Sequence, residues 1–119
     1  KAPVHLHRSL GLNVTQRVMM SADDVRKRFT APLFKPVVEM AEIWFEQFYP
    51  FITFHDPLAA ATIFDASLCT YKRGRVKIEK EDANTKTILQ PSESDVPHQV
   101  AMTVDVDGYF QHFFSIVGE

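Results

Sequence analysis

An α/β or α+β domain is predicted by three observations. Apolar residues recur at helical spacing between Ser21 and Asp65, the period changes to two between Val76 and Val106, and helical spacing returns at Phe110, Phe113, Phe114 and Val117. The expected order is strand, three helices, three strands, helix, without internal repeats. At 119 residues the chain is long enough for one domain, residues 1–119, with a modest core.

The first element spans His5 to Val14, where Leu10, Leu12 and Val14 alternate as in a strand. Ser21-Ala-Asp-Asp24 then starts a helix like a capping box, with Asp23 and Asp24 in the first turn and Arg26, Lys27 and Arg28 in the last, as the helix dipole favours. Val25 and Phe29 form its apolar face and Ala31-Pro32 ends it. Pro36 opens a stronger helix whose core stripe is Val37, Ala41, Trp44 and Phe48, widened by Val38 and Phe45, and Pro50 closes it. The third helix runs from Asp56 to about Asp65.

Beyond it Val76 and Ile78, Thr87 and Leu89, and Val100, Met102, Val104 and Val106 each mark one face of a strand. Gln90 to Pro97, rich in Ser and Pro, reads as a polar loop. Asp105-Val-Asp107-Gly108 resembles half of a calcium loop without the downstream Glu, so the expected role of Asp107 is to cap the last helix.

Composition narrows the function classes. Thirteen Lys and Arg against fifteen Asp and Glu leave a net charge of -2, which gives no basic field for a nucleic-acid backbone. No apolar run approaches the roughly 18 to 20 residues that span a bilayer, and the first residues lack a signal-peptide layout, so no membrane is expected. The single Cys69 cannot pair within the chain, which fits a reducing, cytoplasmic setting and a packed thiol at a helix-to-strand junction. His5, His7, His98 and His112 show no zinc-ligand spacing with it. Asn13-Val-Thr15 matches a glycosylation acceptor but sits at the end of an apolar strand.

The stretch from Phe51 to Asp65 places an imidazole and a carboxylate together at a helix start. Asp56 followed by Pro57 reads as a helix N-cap, since Asp accepts hydrogen bonds from unpaired amides and Pro57 stands where a missing donor costs nothing. Read with the rest of the chain, the pair has a second meaning. Gly11-Leu-Asn-Val-Thr15, His55-Asp-Pro-Leu-Ala59, the run Tyr71 to Glu79, and Val104-Asp-Val-Asp107 before a Phe-rich helix follow one another in a way that resembles the C-terminal part of the inosine/uridine-type nucleoside hydrolase family, calcium-dependent N-ribohydrolases. One departure is Asn84-Thr-Lys-Thr87, which lacks the glycine the family commonly has between its late strands.

The resemblance implies a partial nucleoside-hydrolase fold, a C-terminal fragment of a longer enzyme that splits ribonucleosides into ribose and free base in purine or pyrimidine salvage. It covers less than half of a family member. The family's Asp-rich N-terminal half would supply most metal ligands and the general base, so the fragment alone is expected to be inactive and to bind no Ca²⁺. By the same resemblance Asp56 is a metal ligand, and His55 is the catalytic proton donor to the leaving base or a close contact of it. Asn13 or Thr15 should stand beside them, and Tyr49, with a polar tip at a helix end, is the substrate-binding candidate. Calcium in such an enzyme binds the ribose hydroxyls and lowers the pKa of the attacking water. The implied partners are a ribonucleoside, the missing N-terminal half and further copies in a homo-oligomer. The competing class is a non-catalytic binding or assembly module derived from the same family.

Overall fold

The computed structural model describes residues 5–81, 84–92 and 98–118. The elements are β1 (His7–Ser9), α1 (Leu12–Thr15), β2 (Met19–Ser21), α2 (Ala22–Arg28), α3 (Lys35–Gln47), β3 (Phe51–Thr53), α4 (His55–Phe64), β4 (Cys69–Glu81), β5 (Asn84–Pro91), β6 (His98–Val104) and α5 (Val106–Val117). Single 3-10 turns, Pro32–Phe34 and Ala66–Leu68, precede α3 and β4. The mixed α/β layout expected from the two apolar periods is present.

Among the described residues four strands form one sheet in the order β1-β6-β4-β5. β1 runs parallel to β6 in the register His7↔His98, whereas β4 is antiparallel to both its neighbours. β2 and β3 make a separate antiparallel ribbon, Met19 opposite Thr53. Gly74 is needed for close approach: a Cβ there would collide with the Gln90 carbonyl oxygen of β5.

The core joins the ribbon, the sheet and helices α1 to α5. Val14, Val18, Val25, Leu58 and Tyr109 are fully buried at its centre. Phe29, Phe34, Phe54, Phe113 and Phe114 interlock around them, with Phe29 stacked on Phe34 at 4.2 Å and Phe54 edge-on to Phe113 at 5.6 Å. Ser21 caps α2 by accepting from the Asp24 amide.

Five sequence expectations change. Leu12 to Thr15 is a helical turn, not the end of a strand, and it buries Val14 while turning Leu12 outward. α4 begins at His55, so Asp56 lies inside the first turn and makes no cap bond; Phe54 holds the N-cap position. Asp105, not Asp107, caps α5, accepting from the Gly108 amide at 3.0 Å. Gln90 and Pro91 extend β5, and Asn84 to Thr87 belong to the same strand; the rest of the expected loop, residues 93–97, lies outside the described residues.

The fifth change concerns α3. Trp44 is 40% and Phe48 60% exposed, so these two residues of the expected stripe face outward. Val38, Ala41 and Phe45, also expected on that stripe, face the core. Arg26 of α2 holds both carboxylate oxygens of Glu42 on α3 at 2.7 Å.

Candidate functional site

Two segments distant in sequence meet at the start of α4. After β1 the extended backbone of Gly11 turns the chain into α1, whose Val14 and Thr15 amides both donate to the Gly11 carbonyl. Asn13 donates from Nδ2 to the carbonyl of Ala101 in β6 at 3.0 Å, which fastens this single turn to the sheet. Thr15 is 4% exposed.

The second approach is β3. Its exit is fixed by the Phe54 amide, which donates to the Val18 carbonyl at 2.9 Å, and by the Phe54 ring, which meets Phe110 edge-on at 5.3 Å. The chain therefore enters α4 at a set angle, anchored by Leu58 one turn later. His55 and Asp56 emerge on the surface.

Nδ1 of His55 lies 2.8 Å from Oγ1 of Thr15. Nε2, the other ring nitrogen, has no hydrogen-bond partner among the described residues. The Asp56 carboxylate likewise accepts no hydrogen bond among them, although it stands in a first turn where the helix dipole favours negative charge. Asp65, at the far end of α4, shows what a structural aspartate does. It accepts from both the amide and the hydroxyl of Ser67, at 2.9 and 2.6 Å, and these bonds hold its carboxyl below the usual carboxylate range.

Tyr49 lies among the aromatic side chains ahead of this pair. It is 55% exposed and stacks on Phe51 at 5.4 Å, beside the start of β3, whereas His55 follows the end of β3. Trp44 donates from its indole nitrogen to the Phe51 carbonyl at 3.0 Å, which ties the aromatic group to the start of β3.

Calcium needs roughly six to eight oxygen ligands. Among the described residues no group of three or more His, Cys, Asp or Glu side chains could hold a metal ion. Asp56 can offer one unpaired carboxylate to a site, and these residues do not make a site by themselves. Cys69 is buried at the start of β4, and burial pushes its thiol up, away from the reactive thiolate. His7 and His98 touch edge-on at 4.3 Å on β1 and β6, with Ser9 Oγ 2.9 Å from His98 Nε2. No described helix is long and apolar enough to cross a membrane.

Thr15 is the neighbour whose setting sequence reasoning missed. The motif Gly11 to Thr15 placed it near the site, but alternation suggested a strand end, and only the helical turn buries its hydroxyl beneath an exposed imidazole.

Comparison of the sequence with known protein families finds no match, and none of the curated proteins matches it. Among solved structures the chain is similar to the purine-preferring ribonucleoside hydrolase from Gardnerella vaginalis, with a TM-score of 0.71 at 20% sequence identity. The match covers 91% of this chain and 38% of that one, so the chain spans less than two fifths of that hydrolase's length. The protein has the fold of a segment of a ribonucleoside hydrolase.

Proposed function

We propose that the chain is the C-terminal part of a calcium-dependent ribonucleoside hydrolase, with His55 at the leaving base and Asp56 as one metal ligand. The observation that supports this best is the pair left open at the start of α4. An imidazole nitrogen and a carboxylate stand side by side, exposed and without partners among the described residues, in a fold shared with a ribonucleoside hydrolase.

The chemistry follows from what these groups can do. Cleavage of an N-glycosidic bond leaves an oxocarbenium-like sugar and sends the bonding electrons out with the base. A base leaves more readily when protonated, and imidazole titrates near neutrality, so the outward nitrogen of His55 suits proton donation. Asp56 takes a position where one more ligand would complete an oxygen shell built from elsewhere in the fold. The remaining carboxylates belong to an N-terminal segment that packs against this chain, and the assembled enzyme works in a reducing, cytoplasmic compartment as a homo-oligomer.

The test compares the chain alone with a polypeptide that also carries the N-terminal segment. Alone, with calcium, the chain is expected to hydrolyse neither inosine nor uridine; turnover that a chelator abolishes would refute the dependence on outside ligands. In the longer polypeptide Asp56→Ala should remove calcium affinity and activity together. His55→Ala should leave calcium bound and lower kcat on inosine by about 10²- to 10⁴-fold, the usual worth of a general acid. An aryl riboside that leaves without a proton should lose far less. Equal losses on both substrates would reassign His55 to holding the sugar.

A second reading, a non-catalytic assembly module, is favoured by one observation: Met40, Ile43, Trp44 and Phe48 line an exposed apolar face of α3. A longer polypeptide that binds neither calcium nor nucleosides would support it.

A further inference from the structure

We infer that Thr15 is a positioning residue for His55 that fixes the imidazole in one tautomer, with the proton on Nε2. This deepens the proposed reading, because it turns an Nε2–H to the exposed side of the ring, where it can donate a hydrogen bond to a bound base.

The argument rests on what a buried hydroxyl requires. Thr15 has one donor and two acceptor lone pairs, and Oγ1 lies 2.8 Å from His55 Nδ1. That ring nitrogen is the hydroxyl's only hydrogen-bond partner among the described residues. The Gly11 carbonyl, which a threonine in a helical turn could otherwise use, already accepts the Val14 and Thr15 amides at 3.1 Å each. If Nδ1 carried the proton and donated to Oγ1, the hydroxyl hydrogen would be buried without an acceptor. An orphaned buried donor costs more than an unused lone pair on a satisfied oxygen. The hydroxyl therefore donates to Nδ1, and the proton of the neutral ring resides on Nε2.

The mount is rigid enough to enforce this. Asn13 ties α1 to the Ala101 carbonyl, Val14 is fully buried beneath it, and Phe54 fixes the backbone just before His55. The hydroxyl and the ring are thus held by two independent segments, each bonded to the body of the fold.

The experiment needs only the present chain, labelled with nitrogen-15, and reads the two ring nitrogens of His55 by long-range proton–nitrogen correlation at a pH above the imidazole range. The expected result is one tautomer, with Nε2 protonated and Nδ1 unprotonated. Thr15→Val, which keeps shape and removes the hydroxyl, should shift both nitrogens toward the averaged positions of histidine in an unstructured peptide. Thr15→Ser should restore the single tautomer, which a loss of packing alone would not do. Amide spectra of both variants report whether the fold is kept. A proton on Nδ1 in the native chain, or identical nitrogen shifts in the native and valine proteins, would overturn the inference. Nucleoside hydrolysis is not part of the readout, so failure here and failure of the proposed function are separate results.

Discussion

At the downstream end of β3, Phe54 is 4% exposed, its amide is bonded to Val18, and the next residue rests against a buried threonine. At the upstream end, Trp44, Phe48 and Tyr49 stand largely in the open and stack on one another and on Phe51. The two ends belong to one three-residue strand, yet only the first is built on the core. Hydrophobic content therefore does not tell which end is fixed: the more aromatic end is the less buried. What separates them is whether side chains reach the cluster around Leu58 and Tyr109, and a fixed mount forms where they do.

The contrast can be broken by truncating each end. Leu58→Ala, which empties a fully buried position one turn beyond His55, should cost about 2 to 5 kcal/mol in urea unfolding. Phe48→Ala at the open end should cost less than about 1 kcal/mol. If the second loss matched the first, the outer face of α3 would have to be covered in solution, and sedimentation would show association of the native chain.

A stabilising change sharpens the same comparison. The Tyr109 hydroxyl is buried without a hydrogen-bond partner, and burial raises its pKa. Its ring packs 5.9 Å from Phe54, beneath the anchored end. Tyr109→Phe removes a desolvated hydroxyl and keeps the ring, so stability should rise by about 1 kcal/mol. Tyr49→Phe, whose hydroxyl is on the exposed side, should leave the unfolding midpoint in place.

The smallest effect is a pH dependence. The anchored end rests on β6 through Asn13, and β6 holds β1 beside the His7–His98 contact. Burial and the neighbouring His7 hold the His98 pKa below its ordinary value. The unfolded chain then binds the proton more readily than the folded one, so stability present above about pH 6.5 declines as pH falls through that value toward the lower folded pKa. His98→Gln should flatten this slope, measured as unfolding midpoint against pH. A slope unchanged by the substitution would assign it to carboxylates elsewhere.

Much of this fold was legible because long elements repeat their signal. α2, α3, β4 and α5 each carry enough turns or alternations, and Ser21 and Pro36 punctuate them. The ribbon strands β2 and β3 are three residues each, too short for a period of two to register. Leu10, Leu12 and Val14 satisfy the alternation of a strand while Gly11 starts a helical turn, and four residues cannot settle between the two. For α3 the periodicity was right and the stripe was drawn too wide, because apolar residues occur on both sides of the helix and spacing does not tell Val38, Ala41 and Phe45, which reach the core, from Trp44 and Phe48, which do not. At the site, the neighbourhood of His55 and Asp56 could be read from their motif, but the helical turn that buries Thr15 against His55 could not, because its four residues also fit a strand end.

The parallel pairing of β1 with β6 bears on how the chain assembles. His7 and His98 are 91 positions apart, and parallel strands cannot be joined by a tight turn, so nearly every other element lies in the connection. Closing so long a loop is entropically unfavourable until its interior has formed, which makes β1 a late arrival in folding. It pairs through three residues at the edge of the sheet, and it should be among the first to release in native-state hydrogen exchange. α1 follows it directly in the chain but is held to Ala101 by its own bond from Asn13, so the turn carrying Thr15 can stay docked while the strand before it opens.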